Sequence, residues 1–187
     1  MIGIIFGPPG SGKGTQASRI EAQAQLKHLS TGDILRAEVA KGTPTGLEAG
    51  RIMAAGDLVP DELIVDIVRS LLPEAETGAG VLLDGFPRTV AQARALDSML
   101  ASEGHRVAFV VALDVPESLL VDRILHRAEV EGRPDDTREA IAERMHEYHA
   151  LTEAVLDYYR QNAVRVEEID GTGEVDTVFA RVREAIG

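Results

Sequence analysis

The first fifteen residues constrain the fold more than any other stretch. MIGIIF is a short apolar run with isoleucine at three of its six positions, and it passes without a break into GPPGSGKGT. Residues 2–6 read as a buried strand and 13–25 as a helix, with four glycines in the eight residues 7–14 where one passes into the other. In that order, backbone N–H groups and the positive end of a helix can surround a phosphate. Gly7, Gly12 and Lys13 keep the G-x-x-x-x-G-K spacing, which places the lysine ammonium where it reaches the outer phosphates. The hydroxyl residue that normally follows is displaced: Gly14 stands in its position and Thr15 comes one residue later. A glycine-rich turn with an ordinary surface lysine is the competing reading. It explains neither the glycines nor their place between a strand and a helix.

Downstream, apolar runs alternate with longer amphipathic segments. Strands are expected at 27–29, 81–84, 107–114 and 164–169. Helices are expected at 33–40, 44–55, 61–72, 89–103, 116–127, 137–161 and 173–186. Ser30 and Thr31 offer N-caps, and Pro60 suits a helix entry. Residues 73–80 read as a solvated connection, and 128–136 as a polar segment holding Gly132 and Pro134. Near-continuous apolar strands alternating with helices predict an α/β domain, a parallel sheet covered on both faces. Ligands bind such sheets at the carboxyl ends of the strands. Residues 7–15 and 84–88 both fall there. His146 and His149, spaced i, i+3, read as surface residues, and Tyr148, Tyr158 and Tyr159 as packing for their helix.

Composition excludes several classes. The net charge of −12 argues against non-specific binding to nucleic acid or an anionic membrane. Cysteine is absent, which removes disulfides and thiolate metal sites. No apolar stretch reaches membrane-spanning length and no secretory signal is visible, so the expected location is the cytoplasm. Only three of the 19 basic residues are lysines, Lys13, Lys27 and Lys41. The rest are arginines, whose planar fork matches phosphate. Genome composition is the simpler source of that bias. No serine or histidine stands out as a poised nucleophile. Positioning and charge stabilisation by cations is the chemistry phosphoryl transfer needs.

Further motifs stand in order along the chain. GPPGSGKGTQ (7–16), STGDILR (30–36), GDLVPD (56–61), DGFPRT with Gln92 (84–92), VDRI with Arg127 (121–127) and GRPDD with Arg144 (132–144) together resemble the adenylate kinases and their nucleoside monophosphate kinase relatives. There the G-K-G-T order is normal. The resemblance implies a doubly wound P-loop domain spanning 1–187, with five parallel strands in the order 2-3-1-4-5. It also implies a helical flap over the acceptor nucleotide at 30–59 and a short lid at 127–137. It implies phosphoryl transfer between MgATP and AMP, giving two ADP, by a monomer without structural zinc.

The resemblance also implies roles for residues. Gly10, Ser11, Gly12, Lys13, Gly14 and Thr15 would bind the ATP phosphates, with Lys13 on the β/γ-phosphates. Asp84 would hold Mg²⁺ through water, with Asp33 as a second carboxylate. Arg36 and Arg88 would bind the AMP phosphate. Thr31, Gly85, Phe86, Pro87 and Gln92 would meet AMP, with Met53, Asp57, Leu58 and Val59 lining its pocket. Arg123 would stack on the ATP base or touch its phosphates, and Arg127, Arg133 and Arg144 would clamp the moving group. Lys13, Arg88, Arg123, Arg133 and Arg144 are thus the candidate catalytic set. Gly173 falls where a backbone contact to the ATP base is expected, or it only starts a helix. Asp135 and Asp136 suit the dipole of the helix that follows, with pairing to cleft arginines as the alternative.

Two rival readings have distinct signatures. A UMP/CMP kinase would carry alanine at position 31 and asparagine soon after FPR, whereas this chain has Thr31, Thr89 and Gln92. A guanine-nucleotide switch protein would carry N-K-x-D, which is absent.

Overall fold

A computed structural model gives the conformation of the chain, and the structure describes residues 1–75, 80–133 and 136–187. The strands are β1 (Ile2–Phe6), β2 (Leu26–Ser30), β3 (Gly80–Asp84), β4 (Val107–Asp114) and β5 (Arg165–Asp170). All pair in parallel, in the order β2-β3-β1-β4-β5, which is the predicted topology. The three central strands are almost wholly buried, while β2 and β5 at the edges are partly exposed. That contrast explains why the central strands read as continuous apolar runs and the edges did not.

Nine α-helices surround the sheet among the described residues: α1 (Lys13–Ala24), α2 (Thr31–Lys41), α3 (Pro44–Ala55), α4 (Asp61–Ala75), α5 (Val90–Ser102), α6 (Glu117–Glu131), α7 (Arg138–Glu147), α8 (Glu153–Gln161) and α9 (Val175–Ile186). Side chains alternate across each strand. Ile2, Ile4 and Phe6 join a core with α4, α5 and α8, and Ile5 joins one with α1 and α9. Each fully buried Ile, Leu or Phe contributes about 1.5–3 kcal/mol through the area it removes from water. No described helix is long and apolar enough to cross a membrane.

Several boundaries differ from expectation. Ser30 is the N-cap of α2, its Oγ accepting from Asp33 N at 3.2 Å, so Thr31 lies inside the helix. α4 runs on to Ala75, which shortens the expected connection. Residues 76–79 of that connection, and Pro134 and Asp135, lie outside the described residues. α6 continues through Glu131, because nothing breaks it before Gly132, whose φ of 63° closes the helix. The expected single helix 137–161 is instead α7, a π-helical turn at Tyr148–Thr152, and α8. Tyr148 packs on Phe6 there and Thr152 is buried. The three tyrosines pack into the core as predicted. His146 and His149 are exposed, with His149 against Glu153.

Candidate active site

A cleft of about 900 Å³ opens along the carboxyl ends of β1, β2 and β3. Every residue assigned a ligand contact from the sequence lines it. The topology accounts for this. β1 is the switch point, with β3 on one side and β4 on the other, and the register sets Asp84 level with Ile5 and Ser30. The phosphate loop and the 84–88 turn therefore emerge side by side.

The loop turns into α1 through Gly12, whose φ of 92° is open to glycine and strained for other residues. Lys13 folds back over the loop, its Nζ donating to Gly7 O at 2.7 Å and Pro8 O at 2.8 Å. Burial of that ammonium lowers its pKa to about 8, Asp84 opposes the shift, and Arg88, Arg127 and Arg144 add to it. Gly14 faces Asp84: a Cβ there would lie 3.7 Å from Asp84 Oδ2. The missing hydroxyl thus leaves space beside a carboxylate. That donor set fits a hydrated Mg²⁺ held by Asp84 through water.

Asp84 is also met by a residue the sequence did not reveal. His28 Nε2 lies 3.1 Å from Asp84 Oδ2, and both side chains are almost buried. Burial opposes charge on His28, yet the hydrogen bond and charge of Asp84 raise its pKa above the ordinary value. Asp33 is exposed and accepts from Arg36 Nη2 at 2.6 Å. Burial works against the Asp33 carboxylate, but that pairing holds it below its usual range.

On one side of the cleft, α2 and α3 lie between β2 and α4 and pack tightly on each other. Gly46 permits this: a Cβ there would lie 2.2 Å from Glu38 O. Arg36, Met53, Asp57, Leu58 and Val59 face the cleft from this pair and the turn that follows. Thr31 Oγ1 donates to Gly85 O at 3.0 Å, and Arg88 Nε donates to the same carbonyl at 2.9 Å. Gln92 is buried, accepts from Arg88 N at 2.7 Å and donates Nε2 to Asp61 Oδ1 at 2.7 Å. One N–H and one lone pair of its amide remain for a ligand. Asp61 also accepts from Thr89 Oγ1 at 2.9 Å, a further partnership the sequence did not reveal.

On the other side, Arg123 reaches Gly171 O at 3.3 and 3.4 Å, and Arg133 Nε donates to Glu131 at 2.5 Å. Asp136 corrects the sequence reading. Its side chain is fully enclosed, accepts two hydrogen bonds from Arg127 at 2.8 Å, and accepts from Arg144 Nη1 at 2.7 Å. Thr137, not Asp136, caps α7. Burial raises the Asp136 pKa, but the two guanidiniums outweigh burial and hold it low. Asp136 therefore pre-gathers two of the predicted clamp arginines.

We expect Asp136→Asn to cost about 3 kcal/mol, because it removes a buried carboxylate that two partly buried guanidiniums share. Calorimetric melting checks this. A polyphosphate ligand should then raise the melting temperature more in the variant than in the wild type.

The family model described as adenylate kinase matches residues 5–164. A protein of Xanthomonas campestris pv. campestris (strain 8004) called adenylate kinase is 47% identical over 184 residues, 98% of each chain. One of that name from Thermus thermophilus is 50% identical over 184 residues, 98% of this chain and 96% of its own. Another, from Xylella fastidiosa (strain M12), is 45% identical over 98% of each chain.

Proposed function

The chain belongs to the adenylate kinase family, and from that premise we propose that it transfers the terminal phosphoryl group of MgATP reversibly to AMP, giving two ADP. The observation that carries this reading is the gathering of a lysine, several arginines and a strand-end carboxylate around one cleft. Phosphoryl transfer needs in-line positioning and charge stabilisation.

Residues 10–15 and Lys13 hold the ATP phosphates. Arg36 and Arg88 hold the AMP phosphate and aim its oxygen. Arg123, Arg127, Arg133 and Arg144 spread the charge of the group in flight. Bound Mg²⁺, held through water by Asp84, neutralises phosphate oxygens. Residues 30–59 act as the acceptor flap and 127–137 as the short lid, closing to exclude water and prevent hydrolysis. Thr31 and Gln92 meet the acceptor base and select adenine. The same family resemblance is the ground for reading the chain as a monomer of the cytoplasm.

The test is transfer from MgATP to AMP, CMP, UMP and GMP in parallel, with products separated by chromatography. The expected result is ADP formed at least about a hundred-fold faster with AMP, because a buried amide matched to one base leaves polar groups unpaired with another. Preference for CMP or UMP would overturn the roles of Thr31 and Gln92 and leave the arginine roles standing. Binding of ATP without transfer to any acceptor would favour a nucleotide-dependent switch.

A further inference from the structure

Gln16 follows the phosphate loop directly, yet it points into the protein. It lies in the first turn of α1 and is only 3% exposed. Few glutamines are buried so fully without a polar task. Its Nε2 donates at 3.1 Å to the carbonyl of Val175, the first residue of α9. Facing a carbonyl identifies that end of the amide as the nitrogen, so the other end is the oxygen. Oε1 is sealed from solvent and has no partner among the described residues. The amide is thus spent on one bond, across 159 residues of sequence.

That bond secures a particular segment. Residues 171–174 join β5 to Val175 at the start of α9, and Gly171, Gly173, Glu174 and Val175 line the cleft. Gly171 N donates to Asp114 O at 2.7 Å, and Arg123 holds the Gly171 carbonyl. Gln16 holds the far end at Val175, with an Arg19–Asp176 ion pair outside it. Between the anchors, Gly173 has a φ of 96° and no described atom within 4 Å of where its Cβ would lie. Thr172 is held as well, donating N and Oγ1 to Asp170 Oδ1 and accepting from Arg181 Nη1 at 3.0 Å, so the segment is pinned around an open Gly173.

We propose that Gln16 is a positioning residue for donor selection. Its amide locks the 171–175 segment to the phosphate loop, so that the donor's base and its triphosphate are read by one rigid unit. This rests on the reading above, in which the ATP base lies against Gly173. A glutamine that merely filled space between α1 and α9 would affect every donor alike.

The experiment compares wild type, Gln16→Met and Gln16→Glu. Methionine keeps the length without a donor, and glutamate keeps the shape but sets an acceptor against the Val175 carbonyl. Steady-state rates are measured at saturating AMP with ATP or GTP, and inorganic tripolyphosphate is tested as a competitive inhibitor against ATP. Loss of one hydrogen bond predicts a rise in KM for ATP of about three- to ten-fold. The preference for ATP over GTP should fall by the same factor, with kcat, the KM for AMP and the tripolyphosphate inhibition constant unchanged. An unchanged ATP preference in an active variant would overturn the inference. So would tripolyphosphate weakening in step with ATP, or loss of the fold in both variants, each of which makes the amide purely structural. Failure of the wild type to phosphorylate AMP would instead sink the proposed function.

Discussion

Arg88→Ala is expected to lower kcat about a thousand-fold while leaving the fold and its melting temperature nearly unchanged. The size follows from what one preorganised cation contributes to a moving phosphoryl group in a water-poor site. The lack of a stability cost follows from the surroundings of Arg88. Burial lowers its pKa, neighbouring Arg144 and Arg36 lower it further, and Asp84 pulls the other way. Without a bound phosphate, Arg88 is a cation held among cations, which costs folding energy. Truncation removes that repulsion. The Gly85 carbonyl, to which its Nε donates, keeps the hydrogen bond from Thr31. Single-turnover transfer from MgATP to AMP, with circular-dichroism melting alongside, checks both halves. Turnover within ten-fold of wild type would remove Arg88 from the acceptor-phosphate role. A collapse in melting temperature would make its role structural.

The parts of the molecule legible in the sequence are those that local chemistry determines. The β1–loop–α1 unit was readable because the Gly7, Gly12 and Lys13 spacing has one stereochemical use between a strand and a helix. The strand-end position of Asp84 followed from the apolar run before it. Local chemistry also misled. Gly132 and Pro134 suggested a loop from 128, but this helix runs on until φ turns positive at Gly132, so α6 carries Val130 and Glu131 along the cleft. The π-helical turn was invisible because one extra residue in a turn leaves the apolar pattern almost intact. The contact of Tyr148 with Phe6 accompanies that turn. In the site, what stayed hidden was every partner distant in sequence. His28 meets Asp84 across paired strands, Asp61 meets Gln92 across two helices, and Gln16 meets Val175 across almost the whole chain. Asp136 was ambiguous for a different reason: a carboxylate just before a helix suits either the dipole or an arginine, and only its enclosure by Arg127 and Arg144 decides.

Lys13→Met should abolish turnover by a comparable or larger factor, about a thousand-fold or more, since it removes the cation over the donor phosphates. Its effect on stability should have the opposite sign to most buried truncations. The folded pKa of Lys13 is about 8 against an ordinary value of 10.5. Between those values the unfolded chain binds more protons, so the nucleotide-free protein gains stability as pH rises from about 8 toward 10.5. Below 8 the full cost of the buried ammonium is present, and at pH 7 methionine removes it. The variant should therefore melt no lower than the wild type at pH 7, and the stability gained on raising the pH should shrink in it. Binding runs the linkage in reverse. A triphosphate beside Lys13 favours the charged form and pulls its pKa back up, so ATP binding above pH 8 should take up a fraction of a proton. Calorimetry at pH 8.5 in two buffers of different ionisation enthalpy measures that uptake, with Lys13→Met as the comparison. Uptake that survives in the variant would assign the proton to another group. A variant that melts far below wild type would mean that the bonds to Gly7 and Pro8 outweigh desolvation, making Lys13 a brace for its own loop as well as a ligand for phosphate.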